Sequence, residues 1–450
     1  MARELNFGAL QEADIVDLTH DGRGVARVDG KAVFIDGALP GERVRFRVLK
    51  RRRHMDEGGL VEVLRASPDR VVPACAHFGV CGGCSLQHLS PAAQLEAKER
   101  QLLDNLERIG RVRPERVLPP LRGPEWAYRR RARLGVKYVH KKGRVLAGFR
   151  EREKPYLADV QRCEVLLEPL ADLPRDLAAL VETLSLREKI PQVEVAAGDP
   201  AAGDPAAGEP TTALVFRVLE PPGAEDVAKL AAFGAAQRVD IYLQTGGLDT
   251  IRPLREHPST LSYAVDAGRV RIEFGPADFI QINREINVSM VDAAVALLQP
   301  GAQDSVLDLF CGLGNFTLPL ARRALNVTGV EGDSGLVSKA GANAARNGVG
   351  NAAFFVENLF EPAQFGPWAR ERYQLVLLDP PRAGAAALLP LMTHWRPRRV
   401  VYISCHPGSL ARDAEILVHT QGFKLTCAGV MDMFPHTTHV ESIAVFEAPA

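Results

Sequence analysis

The chain is expected to be α/β: a mostly parallel sheet of nucleotide-binding type, preceded by a small β-barrel and a mixed α+β region. Three observations predict this. From about Phe274 onward, apolar β-rich segments (VLDLF, VTGVE, LVLLD, RRVVYIS, IAVFE) alternate with helical ones (LPLARRA, VSKAGANAARNG, LARDAEILVHTQG), the order that builds βαβ units. The glycine-bearing turn Cys311-Gly312-Leu313-Gly314 separates the first of these strands from a helical pattern. Before them, residues 13–64 read as short strands punctuated by Gly, Asp and Pro, a small-barrel pattern.

Composition sets the outer limits. At 450 residues, 46% hydrophobic and 24% charged, the chain is long enough for two or three separate cores. The expected divisions are a barrel at 8–67, a central domain at 68–270 and an α/β domain at 271–450. No window approaches the roughly 18 uncharged apolar residues of a membrane span, and the start MARELNFGAL lacks the basic-then-apolar order of a signal peptide, so the cytoplasm is the expected compartment. Seven cysteines without a secretion signal argue for metal or catalytic roles over a disulfide framework. The 55 basic and 55 acidic residues balance, but Leu121–Val160 holds 12 Lys/Arg against 4 Asp/Glu.

Along the chain, Lys50-Arg51-Arg52-Arg53-His54 is expected in a loop between two barrel strands, either as a solvated charge run or within reach of phosphates. Ser90 to about Arg111 fits a helix, with Ser90 as N-cap and Pro91 in its first turn. Trp126-Ala127-Tyr128-Arg129-Arg130-Arg131-Ala132-Arg133 interleaves aromatics with arginines. That pattern suits phosphate pairing and base stacking, or a strand that buries its aromatics and turns its arginines to water. The near-repeat AAGDPAAGDPAAGEP lacks residues able to bury a core, and 196–210 is expected to be a disordered insertion.

In the last domain, ligands of such a sheet bind at the carboxyl ends of the strands. Glu331, closing Val327-Thr328-Gly329-Val330-Glu331, is placed to accept hydrogen bonds from a ribose diol. Cys311, inside the glycine turn, reads as a packed hydrophobe. Cys405 ends an apolar run just before a helical pattern. A helix N-terminus there would favour thiolate over thiol, so Cys405 is expected to be a catalytic nucleophile. Asp379-Pro380-Pro381 at a strand end resembles the acidic-plus-proline motif of S-adenosylmethionine-dependent methyltransferases, in preference to a nicotinamide enzyme.

LDLFCGLGNFTLPLA, LDPPR, ISCHPGSLARD and HTTHVESIAVFE, in that order, resemble the RNA (uracil-5-)-methyltransferase family. The barrel resembles the TRAM domain, an OB-like RNA-binding module. Cys75, Cys81 and Cys84, with Cys163, resemble the iron-sulfur ligands of the branch of that family acting on bacterial 23S rRNA. Four thiolates suit a [4Fe-4S] cluster, whereas spacing alone also allows a four-thiolate zinc site; the resemblance implies iron, in a structural or RNA-contacting role.

The resemblance implies a Rossmann-like methyltransferase domain and a 23S rRNA partner whose target uridine is flipped out of its stack. Cys405 would add to C6 of the uracil, and Glu441, which alone reads as a surface acid, would remove the C5 proton. By motif match S-adenosyl-L-methionine would be held by Gln281, Phe310, Asn315, Glu331, Asn358 and Asp379. Two alternatives remain: cytosine-C5 transfer in RNA, whose enzymes typically carry a cysteine just after the proline motif where this chain has Arg382, and a non-catalytic iron-sulfur RNA-binding or assembly factor. No membrane association and no obligate protein partner are expected.

Overall fold

Alternating apolar and polar residues close the first five strands on themselves. Strands β1 (Leu10–Leu18), β2 (Gly24–Val28), β3 (Lys31–Asp36), β4 (Arg43–Arg51) and β5 (Met55–Arg65) pair in the order β1-β2-β3-β5-β4 to form a closed barrel. Its core is Ala13, Ile15, Ala26, Val33, Ile35, Ala38, Val44 and Phe46. Phe46 and Ile35 are fully buried, each contributing about 1.5–3 kcal/mol of hydrophobic stabilisation. Gly58 is a point of close approach: a Cβ there would lie 2.9 Å from the Phe46 ring. Closure removes the free strand edges that invite aggregation.

This computed structural model describes residue 8 and residues 10–200, 210–361 and 365–449. The chain divides into two compact units. The first holds the barrel and the chain through Gln101, together with Arg150–Ala158 and Pro435–Thr438. Helix α1 (Pro91–Arg108) carries the chain from the first unit into the second. It opens as expected, with Ser90 Oγ accepting the Ala93 N–H at 3.3 Å and proline in the first position. Among the described residues no helix is long and apolar enough to cross a membrane.

The second unit contains two large sheets. After β6 (Arg116–Val117) come β7 (Arg131–Val139), β8 (Arg144–Gly148), α2 (Leu173–Glu182), β9 (Gln192–Ala197), β10 (Thr212–Arg217), α3 (Ala224–Gln237), β11 (Val239–Gln244) and β12 (Arg252–Pro253). The strands from β7 to β12 form a six-stranded sheet in the order β12-β11-β10-β9-β7-β8. The expected boundary near 270 falls inside this unit.

The small-residue repeat does not begin as a loop. Ala196 and Ala197 are fully buried at the end of β9, paired with Ala213 and Thr212. Asp199 is also buried: its Oδ2 accepts the Ala264 N–H at 3.0 Å and its Oδ1 accepts Arg284 Nε at 2.7 Å. Small side chains here serve close packing, a role that composition cannot distinguish from flexibility. Residues 201–209 of the expected insertion lie outside the described residues.

A hairpin, β13 (Ser262–Val265) and β14 (Val270–Glu273), leads to α4 (Arg284–Leu298), β15 (Ser305–Leu309), α5 (Thr317–Ala321), β16 (Asn326–Glu331), α6 (Ser334–Arg346), β17 (Ala352–Val356), β18 (Leu375–Leu378), α7 (Met392–Trp395), β19 (Arg399–Ser404), α8 (Pro407–Glu415), β20 (Lys424–Met431) and β21 (Glu441–Glu447). These build an eight-stranded sheet in the order β17-β16-β15-β18-β19-β21-β20-β6. Strands β15 to β19 are parallel, and β21 runs antiparallel to both β19 and β20. All four residues of β18 are buried, as a strand covered on both faces requires. Chain order reverses between β15 and β18, which places a crevice at their carboxyl ends.

Candidate active site

The carboxyl ends of β15, β16, β18 and β19 deliver Phe310, Glu331, Asp379 and Cys405 to one cavity of about 600 Å3. Gln281, Asn315, Asn358 and Glu441 line the same cavity. All eight residues singled out for catalysis or cofactor binding therefore meet in one place, although they are spread over 161 positions of sequence from Gln281 to Glu441.

The glycine turn is held by backbone geometry. Gly312 and Gly314 have φ of +53° and +90°, and Phe310 has φ +65°, a conformation that non-glycine residues adopt only under constraint. The Phe310 and Cys311 N–H groups both donate to the Val330 carbonyl, at 2.9 and 3.1 Å. The Glu331 carboxylate is fixed by three backbone N–H donors, Gly312 at 3.1 Å, Gly332 at 2.7 Å and Asp333 at 3.1 Å. Asn315 pairs reciprocally with Asn287, Nδ2 to Oδ1 at 3.0 Å and the reverse at 3.2 Å. Asn358 Oδ1 accepts the Phe360 N–H at 3.1 Å, and the Phe310 and Phe360 rings lie 5.8 Å apart. Cys311 is buried, and burial pushes its thiol well above the ordinary range.

Carboxylate, amide, aromatic and acidic groups suit an adenosyl amino acid: a diol acceptor, an adenine partner, apolar faces and a counter-ion for an ammonium group. Burial, with Glu331 nearby, raises Asp379 to about 7. A bound cation would favour its ionised form.

The opposite wall carries Cys405 and Glu441. Cys405 joins β19 to α8, and His406 caps that helix, Nδ1 accepting the Ser409 N–H at 3.1 Å. The surroundings of Cys405 act against the expected thiolate. Burial, then the carboxyls of Glu441 and Asp379, push the Cys405 thiol up to about 11, against the opposing pull of Arg382. Desolvation and two acids outweigh the first turn of a nine-residue helix. Glu441 is buried rather than a surface acid, and burial, then Asp379, raises its pKa well above the ordinary carboxylate range. A carboxylate with raised proton affinity is better matched to a base's task near neutral pH. Alkylation of Cys405, followed by peptide mass, should therefore rise with pH toward a midpoint near 11. A midpoint at or below about 8.5 would show that the helix terminus governs the thiol.

Sequence reasoning missed Arg382, Phe434 and His439, which line the cavity beside Cys405. The Arg382 guanidinium lies 3.1 Å from His439 Nδ1, and the Phe434 and His439 rings are 5.3 Å apart. Arg382 is the cation that opposes the raised pKa of both Cys405 and Glu441. Its place directly after Asp379-Pro380-Pro381 was the available signal. The loop is held on α8 by Ser409 Oγ donating to the Arg382 carbonyl at 2.5 Å and the Ala385 N–H donating to Asp413 at 2.6 Å.

The two basic stretches fare differently. Lys50 and Arg51 end β4, Arg52–His54 form the turn, and all five are exposed, as expected of a loop able to meet phosphates. The Arg129–Arg133 stretch is mostly occupied internally. Arg130 is 2% exposed, and Arg131 is partly buried against Glu194 and the Ala277 carbonyl. Arg133 keeps an exposed guanidinium, paired with Glu194 at 3.0 Å.

All seven cysteines are thiols rather than disulfides. Cys75, Cys81 and Cys84 are half-buried in the first unit, and Cys163 is buried in the second. Among the described residues no group of three or more His, Cys, Asp or Glu side chains is placed to hold a metal ion.

The chain matches the family described as tRNA (Uracil-5-)-methyltransferase over residues 92–448. It is 53% identical over 438 residues to the 23S rRNA (uracil(1939)-C(5))-methyltransferase RlmD of Methylococcus capsulatus, covering 97% of this chain and 96% of that protein. The chain belongs to the RNA uracil-C5 methyltransferase family. It is an S-adenosyl-L-methionine-dependent RNA uracil-C5 methyltransferase, as the motif order implied. The RlmD of Xylella fastidiosa strain 9a5c is 49% identical over 451 residues, covering 99% of this chain and all of that protein. Residues 6–61 match the TRAM domain, which coincides with the closed barrel. The tRNA (uracil-54, C5)-methyltransferase of Pyrococcus abyssi, solved with S-adenosyl-L-homocysteine, shares the fold with a TM-score of 0.71 at 23% identity, over 97% of this chain and 100% of that one. The comparisons support neither the cytosine-C5 nor the non-catalytic alternative.

Proposed function

We propose that this enzyme methylates C5 of a uridine in 23S rRNA, with Cys405 as nucleophile and Glu441 as base. The observation that carries the reading is that Cys405 and Glu441 open into the same cavity as the six residues expected to hold the cofactor. C5 of uracil is a weak nucleophile. Addition of the Cys405 sulfur to C6 places an electron pair on the ring as an enolate, and that pair forms the new C5–methyl bond. Bound S-adenosyl-L-methionine would supply the methyl group as a sulfonium, with Glu331 facing the ribose, Asp379 the ammonium group, and Gln281, Phe310, Asn315 and Asn358 completing its site. C5 then carries both hydrogen and methyl. Glu441 takes the proton, the electron pair of that C–H bond restores the C5–C6 double bond, and the Cys405 sulfur leaves. Because C5 and C6 are shielded inside a stacked helix, the target uridine enters flipped out. The TRAM barrel, with its exposed Lys50–His54 edge, supplies an RNA surface outside this cavity.

Mapping 5-methyluridine in 23S rRNA from cells with and without the gene tests the reading. One modification should disappear and return with the wild-type gene; an unchanged pattern overturns it.

Cys75, Cys81, Cys84 and Cys163 are the proposed ligands of a [4Fe-4S] cluster. The motif resemblance and the suitability of four thiolates for such a cluster carry this reading, since among the described residues no group of three or more His, Cys, Asp or Glu side chains is placed to hold a metal ion. Methylation needs no electron from such a cluster, since a nucleophile and a base already balance the reaction. Anaerobically purified protein should be brown and carry about four irons and four sulfides per chain. Stoichiometric zinc without labile sulfide would reject the cluster.

A further inference from the structure

Arg130 lies outside the cavity lining and is 2% exposed, too deeply buried to meet a phosphate. Its contacts run toward the cofactor side of the cavity. The Arg130 N–H donates to the Ile282 carbonyl at 3.0 Å and its Nε to the Gln281 carbonyl at 2.9 Å. The neighbouring Arg131 donates to the Ala277 carbonyl at 2.8 Å and also to the Asp278 carbonyl. Two consecutive arginines thus fasten the segment 277–282, from which Phe279, Ile280 and Gln281 face the cavity.

The same guanidinium lies 4.8 Å from the centre of the Tyr263 ring. Tyr263 Oη donates to Asn315 Oδ1 at 3.1 Å. The circuit closes through α4: Asn287 pairs with Asn315, Arg284 binds Asp199 at 2.7 Å, and Asp199 lies 3.7 Å from Arg130. A buried charge needs such compensation; an acid at 3.7 Å and an aromatic face supply part of it, while both terminal guanidinium nitrogens make no hydrogen bond. Lysine cannot replace this arrangement, because it lacks both the planar face for stacking and the Nε–H aimed at Gln281.

We propose that Arg130 is the positioning residue of the cofactor site, holding Gln281 through its backbone and orienting Asn315 through Tyr263, and that it does not contact RNA. This rests on the reading that Gln281 and Asn315 hold S-adenosyl-L-methionine. It places Asp199, at the start of the small-residue repeat, in the same support.

The test compares full-length wild type, Arg130→Met, Arg130→Lys and Tyr263→Phe. S-adenosyl-L-homocysteine binding is measured calorimetrically without RNA, and steady-state kinetics and RNA affinity are measured over a range of salt. Both Arg130 variants should weaken S-adenosyl-L-homocysteine roughly tenfold, the scale of one lost charge-assisted hydrogen bond. The KM for S-adenosyl-L-methionine should rise with it, while kcat, the KM for RNA and the salt slope stay unchanged. Tyr263→Phe should shift binding in the same direction by less. Binding within about twofold of wild type in both Arg130 variants overturns the proposal, as does a salt slope shallower by roughly 0.7–0.9, one lost phosphate contact. If Arg130→Met does not fold, Arg130→Lys and Tyr263→Phe decide by the same criteria. Wild type that binds no S-adenosyl-L-homocysteine overturns the functional reading and this inference together; normal wild-type binding with unaffected variants overturns this inference alone.

Discussion

Glu441→Gln is expected to arrest the enzyme after methyl transfer, leaving methylated RNA covalently attached to Cys405. The substitution keeps the volume of a fully enclosed side chain while removing its capacity to accept a proton. It also removes the carboxyl that is the largest charge raising the Cys405 pKa, so formation of the thiolate becomes easier. Addition and methylation proceed, and elimination stalls by about 10² to 10⁴, the usual worth of a positioned general base. A denaturing gel with radiolabelled cofactor should show a protein–RNA band carrying the methyl label. Free methylated RNA appearing at the wild-type rate would assign the C5 proton to another base.

Cys405→Ala should reduce methylation to background, a loss on the order of 10⁴-fold or more, as removal of a covalent nucleophile generally does. The variant should bind S-adenosyl-L-homocysteine as wild type does, because none of the six expected cofactor contacts depends on the Cys405 sulfur. Cys405 is partly exposed, so truncation opens no sealed void and stability should move by less than about 1 kcal/mol. Single-turnover methylation near the wild-type rate would remove Cys405 from the mechanism. The two variants also differ in kind. Cys405→Ala forms no covalent complex, whereas Glu441→Gln accumulates one.

The legible part of the candidate site was the part encoded by local order. Glu331 ends an apolar strand, Asp379 and Cys405 each follow one, and ligand-facing residues collect at strand ends in a parallel sheet. Gln281 and Asn358 sit outside any periodic signal, and only their match to family motifs named them. Arg382 and His439 were legible in principle, lying within or beside quoted motifs. Their pairing across 57 residues of sequence was not.

The sequence by itself determined the alternation of strands and helices, the barrel before it, the motif order that names the chemistry and, of the residues that line the cavity, the strand-end ones Glu331, Asp379 and Cys405. These follow from periodicity, turn residues and short motifs, each contained within a few neighbouring positions. Tertiary structure decided what several of those residues are free to do. The Cys405 thiol is pushed up because burial, then the carboxyls of Glu441 and Asp379, oppose the adjacent helix end. Arg130 is turned inward because its partners, Gln281, Tyr263 and Asp199, are distant in sequence. Asp199 is a buried anchor in what composition describes as a flexible repeat. Charge state and burial are sums over neighbours in space, and a linear pattern records only neighbours along the chain.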